Sequence, residues 1–168
     1  MMLSRFAKRD NTQMANFPES VSEFLRGKRF AVAGVSRASA QPANAIYRRL
    51  KDCGYEVFAI NPNASKVEGV TAYPDLASIP VTVDGVVIAT HPDVSVDIVR
   101  QCSKDGVARV WFHRSFGSGS VSPQAIRECE ARGLHYIVGG CPLMFCGQVD
   151  FAHKCMKWWL QGRGSVPT

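Results

Sequence analysis

Phe30-Ala31-Val32-Ala33-Gly34-Val35-Ser36-Arg37-Ala38-Ser39-Ala40-Gln41-Pro42-Ala43-Asn44 is the stretch that decides the fold. Phe30 to Val35 is an uninterrupted apolar run, the pattern of a strand buried on both faces. Gly34 to Gln41 is small and polar, and Pro42 and Asn44 then precede a helix carrying Ile46 and Leu50 four residues apart. Strand, small-residue loop and helix make the first part of a βαβ unit.

The unit recurs downstream. Gly54 closes the helix as a C-terminal cap, and Tyr55 to Ile60 is a second strand, stopped by Asn61 and Pro62. A short strand is expected around Val67 to Ala72 and a small helix near Asp75 to Ser78. Asp84 to Thr90 is a third long strand, and His91 and Pro92 open a helix with Val94, Ile98 and Cys102 on one face, ended by Gly106. Val107 to Phe112 is a strand, Ser122 and Pro123 start a helix that runs to Gly133, and Leu134 to Val138 is the last clear strand. Upstream, Ser20 and Glu23 form a capping-box pattern opening a short helix that Gly27 ends. Parallel neighbours need crossover connections. The expectation is an α/β protein: a single Rossmann-like, doubly wound parallel sheet of about five strands with helices on both faces.

The 168 residues suit one domain, and 46% apolar with 20% charged residues is an ordinary globular composition, which excludes fibrous and wholly disordered classes. Residues 20–150 are expected to fold, with 1–19 as a flexible basic arm and 151–168 as a C-terminal helix or tail. The net charge of +6 suggests nucleic acid until it is divided along the chain. Residues 30–150 hold eleven Lys/Arg and eleven Asp/Glu, so the excess sits at the two ends and no basic domain face is in evidence. No window reaches the ~18 to 20 apolar residues of a membrane span, and the N-terminal residues have neither a secretory core nor a transit-peptide pattern, so a cytoplasmic protein is expected. Six scattered cysteines without a C-x-x-C pair indicate neither a zinc site nor a disulfide framework.

In doubly wound sheets ligands sit outside the carboxyl ends of the strands, at the switch point in strand order. The candidate residues therefore follow each strand. Gly34, Ser36, Arg37, Ala38 and Ser39 form a loop whose small residues let a phosphate approach backbone N–H groups at a helix N-terminus; the same residues also suit a plain turn. This loop is neither G-x-G-x-x-G nor a Walker loop. Asn61 and Pro62 end the second strand without the carboxylate that an NAD ribose needs, and Lys66 offers a cation nearby. Thr90, His91 and Pro92 follow the third strand; no Ser, Cys or carboxylate is tied to His91 by sequence, so a catalytic triad is not supported. Phe112 ends the next strand and His113, Arg114 and Ser115 follow it, and Cys141 with Pro142 follows the last.

Taken in order, Phe30 to Arg37, Pro42-x-Asn44, Gly54-Tyr-x-Val57, Asn61-Pro62, Ala72-Tyr73-Pro74-x-Leu76-x-x-Ile79-Pro80-x-x-Val83-Asp84 and Cys141-Pro142 resemble the small CoA-binding proteins. These are stand-alone Rossmann-like domains similar to the N-terminal domain of the succinyl-CoA synthetase alpha subunit. The resemblance implies that the Ser36–Ser39 loop wraps the coenzyme A pyrophosphate. It implies that Asn61, Pro62 and Lys66 bound the adenosine half, and that His91, Pro92, Phe112 and His113 flank the ligand on the other side. Gly139-Gly140 departs from the family pattern before Cys-Pro, and Leu143 to Trp159, rich in aromatics, matches nothing in it. That aromatic segment is a candidate homodimer contact.

The expected function is binding of coenzyme A or an acyl-CoA, without catalysis, since the synthetase's ligation chemistry needs a second domain and a partner subunit. No metal site, membrane or nucleic-acid partner is expected. The alternative is a small NAD(P)-binding oxidoreductase or nucleotide/redox sensor; the absent carboxylate after the second strand argues against NAD, while Lys66 leaves room for NADP. A redox variant, in which the Cys141 thiol forms a mixed disulfide with coenzyme A, stands against an inert buried cysteine.

Overall fold

A computed structural model describes residues 17–114 and 119–146. The elements run α1 (Glu19–Leu25), β1 (Arg29–Ala33), α2 (Pro42–Asp52), β2 (Glu56–Ile60), β3 (Lys66–Val67) and β4 (Val70–Tyr73), then β5 (Gly85–Ile88), α3 (Pro92–Lys104), β6 (Arg109–Phe112), α4 (Pro123–Ala131), β7 (His135–Val138) and a 3-10 turn, Pro142–Met144. The strands form one sheet in the order β3-β4-β2-β1-β5-β6-β7. All neighbours are parallel except the β3–β4 pair. The six parallel strands, renumbered in chain order, read 3-2-1-4-5-6, the doubly wound arrangement. The expected class is therefore found.

Alternate residues along each strand face opposite layers. Phe30 and Val32 of β1, Ala59, Val87, Trp111 and Ile137 pack under α1, α2 and the 3-10 turn. Ala31 and Ala33, with Ile60, Val86, Ile88, Val110 and Phe112, pack under α3 and α4. Strands read as continuous apolar runs because both of their faces are covered. Phe24 of α1 anchors the first layer, stacked on Phe30 with ring centroids 4.9 Å apart and edge-on to Trp111 at 5.4 Å.

Several local expectations need correction. The sheet has seven strands, not about five, because the short segment around Val67 to Ala72 joins the sheet and does so as a hairpin, Lys66 to Tyr73, that contributes two strands. Glu68 (φ 50°) and Gly69 (φ 73°) both take positive φ, the requirement of a tight two-residue hairpin turn. Residues 75–78 make turns and bends, not a helix. The Asp75 carboxylate accepts from the Ser78 N–H and hydroxyl, at 2.8 and 2.6 Å, and Pro80 has no N–H with which to continue. The capping box does not form: α1 starts at Glu19 with Pro18 as its N-cap and no side-chain cap bond, since the Ser22 N–H closes on the Pro18 carbonyl upstream of Ser20. Ser122 stands at the N-cap of α4 without a side-chain cap bond.

The cysteines also depart from expectation. Cys53 and Cys146, 93 positions apart, are paired with Cα atoms 6.3 Å from each other, which ties the segment after β7 to the end of α2. Cys102, Cys129 and Cys141 are free and buried. The basic arm up to residue 16, Ser115 and the tail from residue 147, including the aromatic cluster at Trp158 and Trp159, lie outside the described residues.

Candidate functional site

The chain leaves β1 toward β2 and returns through β5 on the other flank of β1, so the switch point falls between the carboxyl ends of β1 and β5. Gly34 ends β1 there with φ 101°, and a β-carbon on it would lie 2.5 Å from the Ala89 carbonyl oxygen after β5. Only glycine lets the two strand ends come this close.

The loop from Val35 to Gln41 is held from beneath. Asn44, in the first turn of α2 and fully buried, accepts from the Ser36 N–H at 3.0 Å and donates to the Ser36 carbonyl at 2.7 Å. Asn61 at the end of β2 donates to the Val35 carbonyl at 2.8 Å and accepts from the Asn63 N–H at 2.7 Å. The Ser36 hydroxyl lies 3.2 Å from the Ala38 N–H and 3.3 Å from the Ala38 carbonyl, and Arg48 donates to the Ser39 carbonyl at 3.2 Å. Glu68 accepts from Asn44 and from Arg48, each at 2.7 Å. The Asn44 hydrogen bond, with help from Arg48, holds the Glu68 carboxyl below its ordinary range although partial burial opposes it.

These bonds consume loop carbonyls and spare donors. Among the described residues, the N–H groups of Arg37, Ser39 and Ala40 have no hydrogen-bond partner, and all three residues are exposed at the start of α2. Free N–H groups in a loop that leads into a helix N-terminus favour an anion. Pro62 and Lys66 are exposed on the β2–β3 side of it.

On the β5 side, His91 is the N-cap of α3. Its Nδ1 lies 3.5 Å from the Asp93 N–H and 3.2 Å from the Asp93 carboxylate. Thr90 is half-buried, its hydroxyl 3.3 Å from the His91 carbonyl, and Pro92 fills the first helical position. Behind them Ser95 donates to the Ser120 carbonyl at 2.7 Å, and the Ser120 hydroxyl lies 2.6 Å from the Ile88 carbonyl and 3.0 Å from that of His113. Burial pushes the His113 imidazole down to about 4, so it is neutral at pH 7 and supplies no cation. Phe112 is fully buried under α3 and α4. Cys141 is buried in the layer under α2, where burial pushes its thiol up to about 12 despite the opposing charge of Arg49.

The structure thus gathers Gly34, Ser36, Arg37, Ala38, Ser39, Asn61, Thr90, His91 and Pro92 at the carboxyl ends of the strands, whereas Phe112, His113 and Cys141 lie inside. Asn44, Arg48 and Glu68 were missed as contributors. Asn44 was legible in principle: it is a polar residue on the face of α2 that also buries Ala43, Ile46, Tyr47 and Leu50. Two open clefts, of about 250 and 260 Å³ and lined by Leu76, Pro80 and Asp105 or by Arg26, Asp84 and Arg109, lie at the amino ends of the strands, away from this loop. No group of His, Cys, Asp or Glu that could hold a metal occurs among the described residues. No helix among them is long and apolar enough to cross a membrane.

Residues 28–146 match the CoA binding domain family. The chain belongs to that family. This CoA-binding domain is 32% identical over 82 residues to an ADP-forming acetate–CoA ligase of Archaeoglobus fulgidus, a match covering 48% of the chain and only 12% of the ligase. It is 24% identical over 122 residues to the Bacillus subtilis protein YneT, covering 72% of this chain and 87% of that one. A conserved hypothetical protein from Pyrococcus furiosus superposes with TM-score 0.62 at 28% identity, covering 68% of this chain and 96% of that one. The dinucleotide-forming acetyl-coenzyme A synthetase 1 of Ca. Korarchaeum cryptofilum, solved with phosphate and ADP, superposes with TM-score 0.57 at 26% identity. That match covers 66% of this chain and 25% of the synthetase. The resemblance drawn from the ordered motifs is thereby borne out. The CoA-binding domain corresponds to one module of the ligases and to nearly the whole of the short relatives.

Proposed function

We propose that the protein binds coenzyme A, free or acylated, across the carboxyl ends of β1, β2 and β5, with the pyrophosphate on the Ser36–Ser39 loop, and that it does so as a cytoplasmic binding protein without catalysis of its own. The observation that carries this reading is the set of unpartnered N–H groups on Arg37, Ser39 and Ala40 at the start of α2. Asn61 and Pro62 border the adenosine half, and Lys66 is the cation for the ribose 3′-phosphate. Thr90, His91 and Pro92 form the opposite bank. Phe112, His113 and Cys141 lie buried behind the strand ends, Phe112 and Cys141 on opposite faces of the sheet, and supply no charge against the apolar pantetheine arm. A second copy of the chain would dock through the aromatic C-terminal segment.

Calorimetric titration of the full chain with coenzyme A, dephospho-CoA and NADP tests the reading. Coenzyme A should bind tightest, dephospho-CoA more weakly for want of the 3′-phosphate, and Ser39→Glu should weaken coenzyme A at least tenfold by placing a carboxylate among the phosphate donors. No coenzyme A binding, or unchanged affinity in Ser39→Glu, overturns it. Preference for NADP transfers the site to the oxidoreductase alternative, which Lys66 and the absence of a carboxylate at Asn61 leave as the second reading.

A further inference from the structure

The β3–β4 hairpin lies at the edge of the sheet, yet it is connected to the anion loop through side chains. Glu68 occupies the first turn position of the hairpin with φ 50°. Asn, Asp and Gly are the residues suited to that conformation, so the turn itself does not account for glutamate. Its carboxylate contacts do. Oε1 accepts from Asn44 Nδ2 and from Arg48, each at 2.7 Å, and the Glu68 side chain is only 13% exposed. Asn44 Nδ2 also donates to the Ser36 carbonyl at 2.7 Å, and the second guanidinium nitrogen of Arg48 donates to the Ser39 carbonyl at 3.2 Å. One carboxylate therefore orients two donors, and each donor holds one carbonyl of the loop.

Building on the coenzyme A reading above, we infer that Glu68 is a positioning residue for the anion loop: through Asn44 and Arg48 it fixes the Ser36 and Ser39 carbonyls, leaving the N–H groups of Arg37, Ser39 and Ala40 for a phosphate. Glu68 touches no ligand in this arrangement. Its charge, which alone would oppose an anion, is matched by the Arg48 guanidinium paired with it. The hairpin and the loop become one unit, so the loop does not have to be ordered when the ligand arrives, and that lowers the cost of binding.

Two measurements on the full chain test this. The first is amide hydrogen exchange on the ligand-free protein. Glu68→Ala should speed exchange of the hydrogen-bonded Ser36, Ala38 and Gln41 amides about tenfold, the equivalent of one lost hydrogen bond, while β1 and the last turns of α2 stay as protected as in the wild type. Glu68→Gln keeps an acceptor oxygen for Asn44 and should restore most of the protection. The second is titration with coenzyme A, using pantetheine, which lacks the pyrophosphate, as the control ligand. Glu68→Ala should weaken coenzyme A about tenfold, Glu68→Gln should recover most of that affinity, and pantetheine should not respond to either change. Arg48→Met, on the exposed face of α2, should reproduce the alanine result if Glu68→Ala does not fold. Wild-type exchange at the Ser36, Ala38 and Gln41 amides in both Glu68→Ala and Arg48→Met overturns the positioning role. So does a loss of affinity that glutamine does not rescue. A wild-type chain that binds no coenzyme A overturns the binding reading instead, and the exchange measurement still decides whether Glu68 clamps the loop.

Discussion

Replacing Asn44 with alanine should destabilise the protein by about 2 to 3 kcal/mol, and the estimate can be built from its bonds. The side chain is fully buried and makes three hydrogen bonds, two to the backbone of Ser36 and one to Glu68. Alanine removes all three and strands the Ser36 N–H and carbonyl, where a buried group left without a partner costs about 1 to 3 kcal/mol. Ser36 is half-buried, so water replaces part of what is lost. Alanine is also the better helix former, worth a few tenths of a kcal/mol in the opposite direction. Urea unfolding at pH 7 measures the difference, and in a thermal scan it corresponds to a fall of roughly 5 to 10 °C for a domain of this size. Asn44→Asp should be no better than alanine, since a carboxylate accepts from the Ser36 N–H but cannot donate to its carbonyl and would face Glu68. A loss under about 0.5 kcal/mol in Asn44→Ala, the range of an ordinary surface change, would refute the claim that Asn44 anchors the loop.

His113 predicts an acid limb. Its folded value lies near 4, below the ordinary histidine value of 6.5, because burial disfavours the imidazolium. The unfolded chain therefore binds the extra proton first, so stability is full above pH 6.5 and is lost as pH falls toward 4, by up to roughly 3 kcal/mol. His113→Gln should flatten that limb in unfolding titrations, and an unchanged slope would place the proton elsewhere. For Asp84, burial raises the carboxyl, but N–H bonds from Lys28 (2.6 Å) and Arg29 (2.9 Å) and the charges of Arg29 and Arg109 outweigh it and hold it below its ordinary range. Its contribution is present above that range and lost as pH falls through the folded value, so Asp84→Asn should cost stability at pH 7 and little at pH 2. Cys141 should resist iodoacetamide at pH 8 and form no adduct with oxidised coenzyme A, because its thiol is buried and pushed up to about 12. Labelling of Cys141 in the native protein, read by peptide mass spectrometry, would restore the mixed-disulfide idea.

Both the layering of the sheet and the strand-end loops that make up the candidate site were legible because they depend on local signals. Phe30 to Ala33 reads as a strand covered on two sides, and Gly34 marks where the chain leaves β1 close against the end of β5. What escaped depends on partners distant in sequence or on conformations that composition conceals. Glu68-Gly69 makes a hairpin without the Asn-Gly or Asp-Gly signature, so β3 and β4 merged into one expected strand. The Cys53–Cys146 pair spans 93 positions with no spacing motif to announce it. Ser20 matched a capping pattern, but Pro18, with its fixed φ, starts the helix earlier. Within the candidate site, the small residues of the loop were legible but its free donors were not, because these depend on Asn44 and Arg48 from α2 and Asn61 from the end of β2.

The charge distribution bears on what such a loop can hold. Among the described residues, Arg29 pairs with Glu56, Arg48 with Glu68, and Arg100 and Arg132 with Glu128. These arginines are matched within the fold and form no open cationic track of the kind a polyanion requires. In the proposed reading the loop relies on backbone N–H groups, which act over a few ångströms and suit one or two phosphates at fixed positions. A nucleic acid would draw on many separated cations and lose affinity steeply with salt, whereas a ligand held by N–H donors and a single lysine should show a shallow salt dependence. Coenzyme A, with a compact pyrophosphate, one further phosphate and a long uncharged arm, fits the second regime.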